Sequence, residues 1–161
     1  MERARLRQHR ERCCRSARSR LPLPDGYGVL QGTSTRIPAI EMSVPFAAGA
    51  LCSTASDLVR WSHLLATGRV MLPASYATMV TPQRLADNTV APYGLGLFLQ
   101  KQLGRPAVWH TGGIPGFQSS LVYFTDEDIG IAVIINALPA PAGVSAHLTA
   151  IAVARAALGM Q

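Results

Sequence analysis

The chain has 161 residues and a mass of 17.2 kDa, enough for one domain with its own core and too short for two ordinary ones. Apolar residues make up 48% and charged residues 15%, which excludes disorder throughout, and its best apolar stretches, Ile129–Ile135 and 148–158, are too short to span a membrane or are interrupted by Arg155. The net charge of +6 belongs to one segment: residues 1–20 hold eight Arg and two Glu, leaving seven basic and seven acidic residues over 21–161.

That segment offers almost nothing that packs, so 1–20 is expected to be a disordered Arg-rich arm and 21–161 the folded part. The arm lacks the apolar centre of a secretory signal, and Glu2 and Glu11 fit a transit peptide poorly. Arginine without interleaved aromatics is a weak nucleic-acid signature, so nucleic acid is not the expected partner. The compartment does not follow from the sequence.

Beyond the arm, residues 21–26 and 32–45 are rich in Pro, Gly, Ser and Thr and read as extended loop. Thr54-Ala-Ser-Asp57 has the spacing of a helix cap, and Leu58, Trp61, Leu64 and Leu65 follow at helical intervals up to Gly68, predicting a helix over 54–67. Asp57 is expected to cap it and to pair with Arg60. A shorter helix starts at Pro73, carries Tyr76, Met79 and Val80, and stops before Pro82.

The period then changes to two. Leu95, Leu97 and Leu99 alternate within 93–100, and 107–111, 118–124 and 129–136 also read as strands. Connections as short as theirs cannot hold crossover helices, so neighbouring strands are expected to be antiparallel. A last helix over 144–158, with Val144, Leu148, Ile151 and Leu158 on one face, is expected to cover the sheet. The fold class is therefore α/β, an antiparallel sheet of three or four strands with the C-terminal helix packed on it. Trp61 and Trp109 are assigned to the core, His63 and His147 to the surface, and Asn136 to a turn.

The four histidines are far apart in sequence, Cys13 and Cys14 are adjacent, and Cys52 stands alone. No disulfide framework and no metal-ligand spacing follows. The signatures of a nucleophilic hydrolase also fail. The single lysine, Lys101, has Phe98 three residues before it, so Ser-x-x-Lys does not occur, and neither does Gly-x-Ser-x-Gly. One stretch stands out, His110-Thr-Gly-Gly-Ile-Pro-Gly-Phe117, a polar strand end running into a glycine-rich turn. On spacing alone it is a β-turn with a solvated histidine, a strand edge for an extended ligand, or a donor for an oxyanion.

Taken in order, the stretch from Ala47 to Trp61, Thr81-Pro82, Tyr93-Gly-Leu-Gly96, His110 to Phe117 and the strand at 129–136 resemble the C-terminal portion of the serine β-lactamase-like, penicillin-binding family. This family includes class C β-lactamases, D-alanyl-D-alanine carboxypeptidases, D-aminopeptidases and esterases, and the resemblance covers about residues 26–158. It implies a partial β-lactamase-type fold and hydrolysis of amides or esters through an acyl-serine, with no cofactor. His110, Thr111 and Gly112 match the family's third motif and are expected to bind substrate, with the Gly113 backbone N–H as half of an oxyanion hole. The other motifs, Ser-x-x-Lys and Tyr-x-Asn, are missing, since Tyr27, Tyr76, Tyr93 and Tyr123 all lack an Asn two residues on.

By this reading 21–161 is the C-terminal part of such a domain, inactive alone. Its partner is an N-terminal half supplied by another chain, or another copy of itself, and a small-molecule or peptide substrate binds only once the site is completed. The alternatives are a non-catalytic peptide-binding module and a nucleic-acid binder acting through the arm. His110 in place of the family's lysine is a poorer fixed cation, which favours peptidase and esterase relatives over a β-lactamase.

Overall fold

A computed structural model of the chain describes residues 24–38, 40–41, 43–49 and 51–160; the arm over 1–20 lies outside them. In chain order these residues form β1 (Tyr27–Leu30), β2 (Thr33–Arg36), the single turn α1 (Phe46–Gly49), α2 (Ala55–Ala66), α3 (Pro73–Met79), β3 (Gln83–Arg84), β4 (Val90–Ala91), β5 (Ala107–Ile114), β6 (Phe117–Phe124), β7 (Ile129–Ile135) and α4 (Ala146–Ala157). β1–β2 and β3–β4 are antiparallel hairpins, and β5–β6–β7 make a three-stranded sheet in that order. The two residues joining β5 to β6 permit only an antiparallel pair. The expected α/β class with a C-terminal helix is what forms.

The contacts divide the chain into two units. The first to consider comprises Thr54–Thr111, Ser119–Val133 and the residues from Ala146 onward. Its α2 starts where the Thr-x-x-Asp spacing places it. Thr54 Oγ1 accepts from the Asp57 N–H at 3.1 Å and donates to Asp57 Oδ2 at 3.0 Å, filling a donor that the first helical turn leaves open. With the carboxylate engaged there, the expected Asp57–Arg60 pair is not among the ion pairs of the described residues.

Alternation along β6 puts Ser120, Val122 and Phe124 on one face and Tyr123 on the other, and all four are buried. Val122 and Phe124 form the core with Ala107, Ala150 and Ala154, bordered by Ile129, Ile131, Val133, Ile151 and Leu158. Ile151 and Leu158 thus pack as expected of α4, and the other half of the expected face is corrected. Leu148 is 64% exposed and Val144 43%, while Ala146, Ala150 and Ala154 are buried. Alanines four residues apart let the helix axis approach the sheet, so they form the centre of the packing face, with Ile151 and Leu158 at its margin.

Gly130 does the same for α2. A Cβ there would sit 3.0 Å from Val59 Cγ1 and 3.3 Å from Ser62 Oγ, so this helix runs close over β7. Leu65 is buried beneath it, whereas Trp61 is 42% exposed and is not the core residue expected.

The strand expected over 93–100 does not form. Gly94 N–H donates to the Leu97 carbonyl at 2.8 Å, and single bridges join Tyr93 to Phe98 and Phe98 to Trp109 of β5. Leu95 is consequently exposed and Leu97 buried, so the three leucines do not share a face. The cause is Gly94, where a Cβ would lie 2.1 Å from the Met79 carbonyl oxygen. The backbone here is pressed against the end of α3, which alternation of side chains cannot reveal.

The other unit comprises the described residues up to Ser53 with Gly112–Gln118 and Ile134–Ser145. Its β1–β2 hairpin turns at Gln31 and Gly32, both at positive φ as a two-residue turn requires, and it corrects the extended loop expected from residue 32 on. Gly26 and Gly116 meet backbone to backbone, and a Cβ on Gly116 would stand 2.8 Å from Gly26 Cα. Around them Tyr27 N–H donates to the Asn136 carbonyl, Gly116 N–H to the Leu138 carbonyl, both at 2.9 Å, and Asn136 Nδ2 to the Asp25 carbonyl at 3.0 Å. Asn136 is therefore structural, as expected. Cys52 is disulfide-bonded, correcting the expectation that it stands alone.

Candidate functional site

β5 changes character along its length. Ala107 is buried and Trp109 half-buried, but His110, Thr111, Gly112 and Gly113 are all exposed. The strand runs through to Ile114, so Gly112 and Gly113 are strand residues, and the glycine-rich turn expected here shrinks to Pro115-Gly116.

The His110 ring is held at both nitrogens. Nδ1 lies 2.5 Å from the Thr111 carbonyl oxygen and Nε2 lies 3.0 Å from the Tyr93 hydroxyl. A carbonyl oxygen only accepts, so the proton of the first contact sits on Nδ1. In the neutral ring Nε2 is then the acceptor and the Tyr93 O–H donates to it. Phe98 stacks on the ring at 5.2 Å between centroids, and Tyr93 meets it edge-on at 5.9 Å. The bridge that fixes Phe98 beside β5, together with the tight 93–98 turn, brings both rings to the histidine.

The stacking continues inward. Phe98 lies 4.5 Å from Trp109, and Trp109 lies 4.5 Å from His147, with interplanar angles of 23° and 22°. His147 Nδ1 is 3.1 Å from Oγ of the fully buried Ser120. Burial holds the His147 pKa below the ordinary histidine value, favouring the neutral ring. His147 is thus a packed residue, correcting its assignment to the surface, and Trp109 contributes to the core margin as expected. The Trp109 Nε1–H is buried without a hydrogen-bond partner among the described residues.

A second polar cluster lies under α2. His63 Nδ1 is 2.7 Å from Asp128 Oδ1, and the Tyr123 hydroxyl donates to the same oxygen at 2.6 Å. The Tyr123 hydroxyl pulls the Asp128 pKa down, His63 adds to this, and burial pushes the Tyr123 phenol up. Asp128 sits at φ +53 in the turn before β7, so the cluster ties that turn to α2. His63 keeps 40% of its side chain exposed, a surface residue as expected, and is paired with Asp128. No group of three metal-ligating side chains occurs among the described residues.

Sequence reasoning found His110 but missed its partners. Tyr93 stands in the sequence as the start of Tyr93-Gly-Leu-Gly96 and as a tyrosine without an Asn two residues on, and Phe98 falls within the strand expected over 93–100; neither position points to His110. The signal available was the Tyr-Gly-x-Gly pattern, whose glycines mark a turn rather than a strand.

Residues 2–156 match the Beta-lactamase family, and the chain belongs to it. A D-aminopeptidase of Brucella ovis is 27% identical over 100 residues, which are 62% of this chain and 19% of that protein. The chain thus spans a small part of the length of the curated relatives it matches. Among solved structures, a D-stereospecific amidohydrolase from a Streptomyces species aligns with a TM-score of 0.60 and 26% identity, over 72% of this chain and 35% of that one. The octameric penicillin-binding protein homologue of Pyrococcus abyssi aligns with a TM-score of 0.69 over 92% of this chain and 33% of that one, and at 18% identity it supports the fold alone. No described helix is long and apolar enough to cross a membrane.

Proposed function

We propose that this chain carries the substrate-binding strand of a serine hydrolase that cleaves amide or ester bonds through an acyl-serine, with amides beside a D-configured residue as the favoured substrates. The observation that carries this reading is His110-Thr111-Gly112 on the exposed end of β5 in a chain of the β-lactamase family. The D-aminopeptidase and D-stereospecific amidohydrolase relatives support the peptidase and amidase branch, as does a histidine where a β-lactamase of this family has lysine.

In this reading His110, Thr111 and Gly112 hold the substrate, and the Gly113 N–H donates to the oxygen that becomes negative when a serine attacks the carbonyl. The same donor serves again when water attacks the acyl-enzyme. These 161 residues contain neither Ser-x-x-Lys nor Tyr-x-Asn. The nucleophile and its base therefore come from further polypeptide, in the same chain or in a second one, and the 161 residues alone do not turn over.

Two measurements test this. Purified chain treated with a fluorophosphonate or a fluorescent β-lactam is expected to give no stoichiometric serine adduct by mass spectrometry, and an adduct on one of its own serines overturns the inactivity. Grafting residues 24–160 in place of the matching segment of the Streptomyces amidohydrolase is expected to give adduct formation that falls at least tenfold in His110→Ala. A graft that acylates equally well with and without His110 overturns the site assignment.

A further inference from the structure

The two contacts of His110 have a consequence for the hydroxyl of Tyr93. Nδ1 is committed to the Thr111 carbonyl at 2.5 Å, so any change in the ring's protonation occurs at Nε2, which faces the Tyr93 hydroxyl at 3.0 Å. A hydroxyl has one hydrogen and two lone pairs. While the ring is neutral, its Nε2 lone pair takes the Tyr93 hydrogen, and the phenol oxygen has only lone pairs left to offer. When the ring gains a proton from solvent, Nε2–H donates to the phenol oxygen. The Tyr93 hydrogen must then turn outward.

We propose that Tyr93 is a specificity-determining residue whose hydroxyl presents an acceptor beside neutral His110 and a donor beside protonated His110, so that the pair takes an ammonium or amide N–H in the first state and a carboxylate in the second. This rests on the functional reading above only for the claim that substrate reaches this strand. The proton placement stands on the geometry alone.

The surroundings allow the exchange. Phe98 stacks on one face of the His110 ring and Tyr93 meets its edge, while both nitrogens are addressed by oxygen atoms. The nearest titratable group along the stack is His147, beyond Phe98 and Trp109, and it is engaged with Ser120. Among the described residues no carboxylate, guanidinium or ammonium forms an ion pair with His110. Tyr93 is only half-buried, His110 is exposed and their bond lies at the surface, so a ligand can reach it.

The test is nuclear magnetic resonance on the intact chain, with benzoate and benzylammonium as probes of similar shape and opposite hydrogen-bonding sense. Long-range proton–nitrogen correlations are expected to show neutral His110 with its proton on Nδ1; a neutral ring protonated on Nε2 overturns the proposal. Benzoate is expected to shift the His110 and Thr111 signals with roughly three- to tenfold tighter apparent binding below the His110 titration midpoint than above it, and benzylammonium the reverse.

Protonated His110 attracts benzoate by charge in any case, so Tyr93→Phe separates the two effects. Loss of most of the pH dependence in that variant supports the hydroxyl; retention of the full wild-type dependence shows that charge alone acts and overturns it. Tyr93→Phe keeps the ring, and unchanged amide spectra away from 92–111 confirm that it folds. None of these readouts depends on hydrolysis, so they stand or fall separately from the acyl-serine reading.

Discussion

His110 and His147 end the same stack of rings, with Phe98 and Trp109 between them, and each has a hydroxyl within hydrogen-bond distance. The difference is burial. Ser120 is fully covered, His147 loses solvent and its charged form is penalised, and the surrounding alanines of α4 seal that end of the sheet. At the other end His110 and Thr111 are exposed, and the hydroxyl comes from a half-buried tyrosine. The same pairing of imidazole and hydroxyl is enclosed where water is excluded and lies open to a ligand where water enters.

The comparison is sharpest at the core. Phe124 is fully buried beside Val122, Ala150 and Ala154, so Phe124→Ala removes a large side chain where the alanine face of α4 cannot collapse far to fill the space. A loss of about 3–5 kcal/mol is expected in chemical denaturation. A loss below about 1 kcal/mol would show that the covered end is not what holds this unit together.

At the open end one residue breaks the pattern. Gly94→Ala places a Cβ against the Met79 carbonyl, which is backbone and cannot swing aside. A cost of about 1–3 kcal/mol is expected, together with a changed His110 side-chain spectrum because the 93–98 turn must move. An unchanged spectrum would show that the turn does not set the position of Tyr93.

A smaller effect separates the ends by pH. Burial depresses the His147 pKa below 6.5, so the unfolded chain takes up a proton on that ring before the folded chain does. Stability rises with pH wherever the unfolded state binds more protons. The His147 contribution is therefore complete above the unfolded value and is lost as pH falls through the interval down to the folded one. Asp128, lowered from 3.8 chiefly by the Tyr123 hydroxyl, gives a separate loss at still lower pH. His147→Gln is expected to remove the upper step of a stability–pH curve and leave the lower one. A curve that keeps both steps would place the upper titration elsewhere.

These contrasts also mark what was legible in the residues. The cap at Thr54, the stop between Met79 and Pro82, and the antiparallel order of β5, β6 and β7 depend on local spacing and connection length, which the chain states directly. Of the face predicted for α4, Ile151 and Leu158 border the core while Val144 and Leu148 stay exposed, because closeness of approach rather than apolar size selects Ala146, Ala150 and Ala154. The 93–100 strand was misread because Gly94 answers to a carbonyl in α3 that its neighbours in sequence do not reveal. His110 stands out through its motif; the hydroxyl that faces its Nε2 comes from Tyr93, seventeen residues away, and no spacing rule encodes that pairing.

The smallest effect on stability is expected from the pair of substitutions that tests the comparison most directly. Ser120→Ala and Tyr93→Phe each delete one hydroxyl from an imidazole and leave the rest of the side chain's packing nearly intact. At Ser120 the lost partner leaves His147 Nδ1 beside the Trp109 ring, within reach of little water, and about 1 kcal/mol should be lost. At Tyr93 solvent replaces the hydroxyl at an exposed bond, and the change should stay within about 0.5 kcal/mol. The spectra should rank the other way, with the His110 Nε2 signal changing clearly in Tyr93→Phe and hardly at all in Ser120→Ala, while the proton stays on Nδ1 against the Thr111 carbonyl in both. Equal stability losses would mean that burial does not distinguish the two imidazole–hydroxyl pairs. A His110 titration that responds to Ser120→Ala would mean that the stack transmits proton arrangement from one end to the other, and the two histidines would have to be treated as one coupled unit.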